Sequence, residues 1–165
     1  MYFFTSDEHY GHDNIREYTH RPFYTWQEMD DGLIRRHNSK VKDGDIVIHA
    51  GDFTLRGKVF ADNIISQLKG THIFLQGSHD YWLKKTNIQY VWEKKLNDLY
   101  VVVCHYAMRV WPRSHYGSWQ LYGHSHGNLK PLKNQYDIGV DNNNYYPISL
   151  NELKKLIKGE TIYGN

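Results

Sequence analysis

Two kinds of apolar pattern alternate along this chain. Short apolar runs rich in β-branched residues are separated by stretches whose apolar residues recur at helical spacing. Runs at 2–6, 45–49, 72–76, 99–104, 119–122 and 136–140 read as strands. Several are apolar without interruption, as strands covered on both faces are. Thr25 with Glu28 forms a capping-box pattern, and Trp26, Met29, Leu33 and His37 lie on one helical face behind it. A second helix is predicted over 59–68, carrying Phe60, Ile64, Ile65 and Leu68 ahead of Gly70. Ser149 with Glu152 repeats the capping pattern, with Leu153, Leu156 and Ile157 inward and Gly159 as a stop. The order predicts a layered α/β fold, and the length of 165 residues suits a single domain over 1–165.

Composition narrows the function classes. Lys plus Arg (20) nearly balance Asp plus Glu (18), so no single-signed field favours bulk binding to nucleic acid or membrane. Any preference for anions must then come from a local site. The single cysteine, Cys104, excludes an internal disulfide framework and reads as a small buried apolar residue. The chain opens without a basic leader and no run reaches membrane-spanning length, so the expectation is a soluble cytoplasmic protein. No obligate protein partner is evident in it.

The chain holds 11 histidines and 14 tyrosines, and imidazole is the commonest side-chain metal ligand. Position matters more than number. The first five strands are followed in turn by Asp7-Glu8-His9, Gly51-Asp52, Gly77-Ser78-His79-Asp80, His105 and Gly123-His124-Ser125-His126. In extended backbone residues i and i+2 point the same way, so Asp7 pairs with His9 and His124 with His126. In open α/β sheets the C-terminal strand ends are where ligands bind. Any one of these histidines alone is more often a satisfied structural or surface residue, and His12, His20, His37, His49, His72 and His115 keep that reading or one near it.

In order, D-x-H at Asp7 and His9, G-D at Asp52, G-S-H-D over 77–80, the lone His105 and G-H-x-H at His124 and His126 resemble the five motifs of the calcineurin-like metallophosphoesterases. The segments 10–15, 109–119 and 139–143 are more loosely similar to small bacterial and phage-borne members without a cap domain. The resemblance implies a two-sheet β-sandwich flanked by α-helices, with two metal ions at the C-terminal strand ends. It implies that Asp7, His9 and His126 hold the first ion, that Asp52 bridges both, and that His105, His124 and residue 78 hold the second. Mixed carboxylate and imidazole ligands suit divalent transition metals: manganese, iron, zinc, cobalt or nickel.

The family pattern has asparagine where this chain has Ser78, and a hydroxyl is a shorter and weaker ligand than an amide carbonyl. The second ion is therefore expected to bind more weakly. The implied activity is hydrolysis of phosphate esters, foremost nucleotide-like phosphodiesters, by a water or hydroxide bridging the ions. The alternatives are a phosphomonoesterase or protein phosphatase, or a metal-binding module whose catalysis Ser78 has weakened. His79 is expected to assist the leaving oxygen, with Asp80 setting its tautomer and charge. Arg109 and Arg113, in the stretch between His105 and His124, are candidate phosphate grips, and Trp111 a candidate stacking surface. Packing of Trp111 against the core is as good a reading. His12 and Asn14 are candidate rim contacts.

Overall fold

Phe3 and Phe4 are adjacent in the first strand and therefore face opposite ways. Phe4 joins Ile48, Val101, Val103, Leu121 and Ile138 in one buried cluster, while Phe3 joins Val41 and Val47 in another. Strands apolar on both faces thus sit between two covering layers. Each buried side chain of this size contributes roughly 1.5–3 kcal/mol.

The computed structural model describes residues 1–83 and 88–159. Its elements are β1 (Tyr2–Thr5), α1 (Ile15–Tyr18), α2 (Trp26–Lys40), β2 (Ile46–His49), α3 (Lys58–Ile65) and β3 (Thr71–Phe74). There follow β4 (Val91–Leu96), β5 (Leu99–Cys104), β6 (Trp119–Tyr122), β7 (Gln135–Asp137), β8 (Ile148–Ser149) and α4 (Leu150–Ile157). Two four-stranded sheets result, in the orders β3-β2-β1-β8 and β4-β5-β6-β7. The fold is α/β, two sheets flanked by helices. Phe4 and Ile48 of one sheet meet Val101, Val103 and Leu121 of the other, with α4 contributing Leu150 and Leu153. Tyr10, Phe53 and Val140 pack with Met29 and Leu33 of α2 and Ala61 and Ile64 of α3.

The helix ends follow the capping pattern with one variation. At α4 the Ser149 and Glu152 side chains each take the other's backbone N–H. At α2, Thr25 accepts from Glu28 N, but Glu28 Oε2 accepts from Tyr24 N rather than from Thr25. Ile157, expected inward, is instead exposed at the end of α4.

An additional strand, β4, pairs antiparallel with β5 as a hairpin, and Asn97 in its turn has φ 57°. Glu93, Lys94 and Lys95 hide it from a hydrophobicity reading, yet charges are what an edge strand carries to resist pairing with other chains. Only Trp92 and Leu96 of β4 turn inward. The β7 strand is shorter than the run 136–140, because Gly139 leaves the sheet to bridge Ser6.

Strands β1, β2 and β3 are mutually parallel, as are β5, β6 and β7. In each sheet the parallel strands end together, and the two sets of ends meet. Between the sheets Ser6 O accepts from Val140 N, while within the second sheet Tyr122 O accepts from Ile138 N and His105 O from Gly123 N.

Candidate metal centre

The strand ends converge on two groups of ligand atoms. Asp7, His9 and His126 form one; Asp52, His105 and His124 form the other, and within each the ligand atoms lie within 4.8 Å of one another. Asp52 stands between them: its Oδ2 lies 3.7 Å from His9 Nε2 and 3.4 Å from His105 Nε2.

The backbone takes an uncommon conformation to achieve this. Asp7, His9, Asp52, His124 and His126 have φ of 60°, 52°, 56°, 67° and 45°. Non-glycine residues adopt this left-handed region rarely, though Asp and His more readily than most, and such positions gather at functional sites. Main-chain bonds hold the conformation: Asp7 N donates to Gly51 O and His9 N to Asp52 O, each at 3.0 Å. The backbone also approaches the carboxylates closely. A Cβ on Gly77 would overlap Asp52 Oδ1, and one on Gly123 would overlap Asp7 Oδ2 and Ser6 Oγ. Glycine stands at both places because the site leaves no room for a side chain.

Ring orientations are set from behind. His105 Nδ1 meets Ala50 O at 2.9 Å, which turns Nε2 toward Asp52. His126 Nδ1 meets Asp141 Oδ2 at 2.7 Å, leaving Nε2 for the site. Asp141 is in turn paired with Arg21, whose side chain has no exposure. His124 N donates to both oxygens of Asp7, at 3.0 and 2.9 Å.

The electrostatics suit a cation. Burial pushes the Asp7 carboxyl up to about 7, despite the opposing pull of His126 and His105. Burial acts the same way on Asp52, but contact with His105 and the charge of His9 outweigh it and hold the carboxylate well below its usual range. Burial holds His9 well below the ordinary imidazole value. Among the described residues, both ring nitrogens of His9, and Nε2 of His105, are buried without a hydrogen-bond partner. Unsatisfied nitrogens beside buried carboxylates are costly in a protein-only site. A transition-metal ion uses both, and the mixed nitrogen and oxygen donor set fits one.

Ser78 and His79 come to the same place. Ser78 Oγ lies within hydrogen-bond distance of both Asp52 oxygens. His79 N donates to Asp52 Oδ1 at 2.9 Å, and the His79 ring centroid is 5.8 Å from that of His9. His12 also joins, its ring 5.7 Å from His9.

Other expectations need correction. Asp80 does not orient His79: its oxygens accept from the backbone N–H groups of Asp52, Phe53 and Gly77 and from Trp82 Nε1. It buttresses the loop that presents Asp52. Arg113 lies over the Tyr100 ring, at 4.7 Å, near the N-terminal end of β5 and away from the site. Strands β5 and β6 are parallel, so the connection between them must run back the length of the sheet, and Arg113 lies at its far end. Trp111 is buried and donates to Ser118 O, so it packs the connection down. Arg109 and Asn14 are exposed, and among the described residues no hydrogen bond joins either side chain to the site.

Two contributors carry no motif signal. Arg21 sits in an ordinary loop sequence, and its role shows only once it is buried. Tyr106 directly follows His105; its ring lies 4.8 Å from both His105 and His124 and is about half exposed at the rim.

No protein-family model matches the chain. An uncharacterized protein of Methanocaldococcus jannaschii is 30% identical over 167 residues, covering 95% of this chain and 92% of that protein. A protein of unknown function from Aquifex aeolicus has a similar structure, with a TM-score of 0.75 and 22% identity over 95% of this chain and 99% of that one. A predicted phosphoesterase from Streptococcus pneumoniae aligns more distantly, with a TM-score of 0.40 and 16% identity over 76% of this chain and 62% of that one. The chain belongs to the family of the archaeal protein, and its two-sheet fold and paired ligand groups accord with the ordered strand-end motifs by which it resembles the calcineurin-like metallophosphoesterases. Among the described residues no helix is long and apolar enough to cross a membrane.

Proposed function

We propose that this protein is a hydrolase of phosphate esters, foremost phosphodiesters, that works with two divalent transition-metal ions. The observation that carries the reading is the pair of ligand groups sharing Asp52 between them. Asp7, His9 and His126 would hold one ion and His105 and His124 the other, with Asp52 serving both and Ser78 beside it. Bound ions supply Lewis-acid charge to the phosphoryl oxygens and acidify the attacking water.

The chain's own residues position and finish the reaction. His124 is exposed while Asp7 and His9 are buried, so substrate would enter over the second group. His79, at the rim beside His9, would hydrogen-bond or protonate the departing oxygen. The exposed Tyr106 ring beside His124 offers a face on which an aryl or nucleobase group can stack, as the second ester of a nucleotide-like diester would.

The test compares bis-nitrophenyl phosphate with nitrophenyl phosphate in Mn²⁺. A higher kcat/KM on the diester is expected, and a preference for the monoester would assign the protein to the phosphomonoesterases instead. A weakened metal-binding module is the second reading, favoured by the Ser78 hydroxyl's engagement with Asp52. No metal-dependent turnover on either ester would favour it.

A further inference from the structure

Arg21 has five N–H donors, and five acceptors surround it. Nη2 donates to Asp7 O at 2.7 Å and Nη1 to Glu8 O at 2.8 Å, within the clip that presents Asp7 and His9. Nε and Nη2 each donate at 2.8 Å to a different oxygen of Asp141, and Nη1 reaches Met29 Sδ at 3.4 Å. Asp141 Oδ2 also meets His126 Nδ1 at 2.7 Å. One buried guanidinium therefore ties the main chain carrying two members of the first ligand group to the carboxylate that orients the third. No contact of Arg21 or Asp141 is with Asp52, His105 or His124 among the described residues.

We infer that Arg21 and Asp141 are positioning residues for the first ion and not for the second, an assignment that rests on the metal reading above. The planar guanidinium suits the task, because it presents paired donors to a carboxylate while reaching two carbonyls on its other edge. A lysine has three donors on a single nitrogen and cannot span these acceptors. Carboxylates behind a metal-binding histidine fix its ring orientation, and their loss typically weakens metal affinity 10–100-fold.

Calorimetric titration of metal-free protein with Mn²⁺ tests this. In a His124→Ala background, where the first group alone is whole, Asp141→Asn and Arg21→Lys should each weaken the remaining ion 10–100-fold. In a His126→Ala background, Asp141→Asn should leave the remaining affinity within about threefold, because its effect acts through the His126 ring. Circular dichroism of the metal-free variants checks the fold, and Asp141→Asn decides the matter should Arg21→Lys not fold. Unchanged affinity in the first background, or equal losses in both, overturns the inference while leaving the metal reading intact. Failure of the wild-type chain to take up Mn²⁺ overturns both.

Discussion

Ser78 donates its hydroxyl to the Asp52 carboxylate, with Oγ 3.2 Å from one oxygen and 2.9 Å from the other. The residue that stands where the calcineurin-like pattern has asparagine therefore touches the carboxylate that lies between the two ligand groups. A serine hydroxyl at this position is shorter than an asparagine carbonyl and is occupied with Asp52. Ser78→Asn is expected to tighten the second Mn²⁺ ion and to raise turnover at limiting metal. A neutral oxygen ligand is worth at least a hydrogen bond to a charged group, ~1.5–3 kcal/mol, or about ten- to hundred-fold in affinity. Titration of both proteins with Mn²⁺, followed by activity at each concentration, checks it; superimposable curves would count against it.

His79 stands at the rim with its backbone on Asp52 and its ring near His9. Help from a general acid matters most when the leaving oxygen is strongly basic. His79→Ala should therefore lower kcat on alkyl diesters by roughly 10²–10⁴-fold and on nitrophenyl diesters far less. An equal loss on both would make His79 a phosphate contact.

His37 illustrates a different electrostatic effect, remote from the ligands. It is buried on α2, its Nε2 2.9 Å from Lys69 O and its ring beside those of His49 and His72. Burial lowers its value from 6.5 to about 4, with the Lys69 carbonyl pulling the other way. Between pH 6.5 and 4 the unfolded chain takes up a proton that the folded chain refuses, so this contribution to stability is full above about pH 6.5 and lost by about pH 4. His37→Gln should be less stable than wild type near neutrality, with the gap narrowing on acidification by up to roughly 3 kcal/mol. Denaturant unfolding of both proteins across this range measures the difference, which isolates His37 from the buried Glu8 nearby. A gap that widens toward pH 4 would refute the assignment.

Much of the site was legible because its ligands come in short local patterns at strand ends. Asp7 with His9 announces itself by spacing, and Gly77 and Gly123 by standing just before polar residues; His124 and His126, expected to point the same way from extended backbone, instead take left-handed backbone and fall in different ligand groups. The rest depends on contacts between distant parts of the chain. Asp80 follows His79 directly, yet its carboxylate serves the backbone of Asp52, 28 residues earlier. The misplacement of Arg113 has a topological cause, since a connection between parallel strands must visit both ends of the sheet. Strand β4 was obscured by the charges of an edge, although the Asn97-Asp98 pair marked its turn. Nothing local distinguishes Arg21 from a surface arginine.

Asp52 lies between the two ligand groups and would serve both bound cations. The most direct test of that role is the metal content of wild-type and Asp52→Asn proteins after equilibration with saturating Mn²⁺ and removal of free metal. Two ions per wild-type chain are expected, with a loss of both, or a fall to one weakly held ion, in Asp52→Asn. Wild-type protein that retains no metal, or an Asp52→Asn protein that retains the full wild-type content, would contradict it.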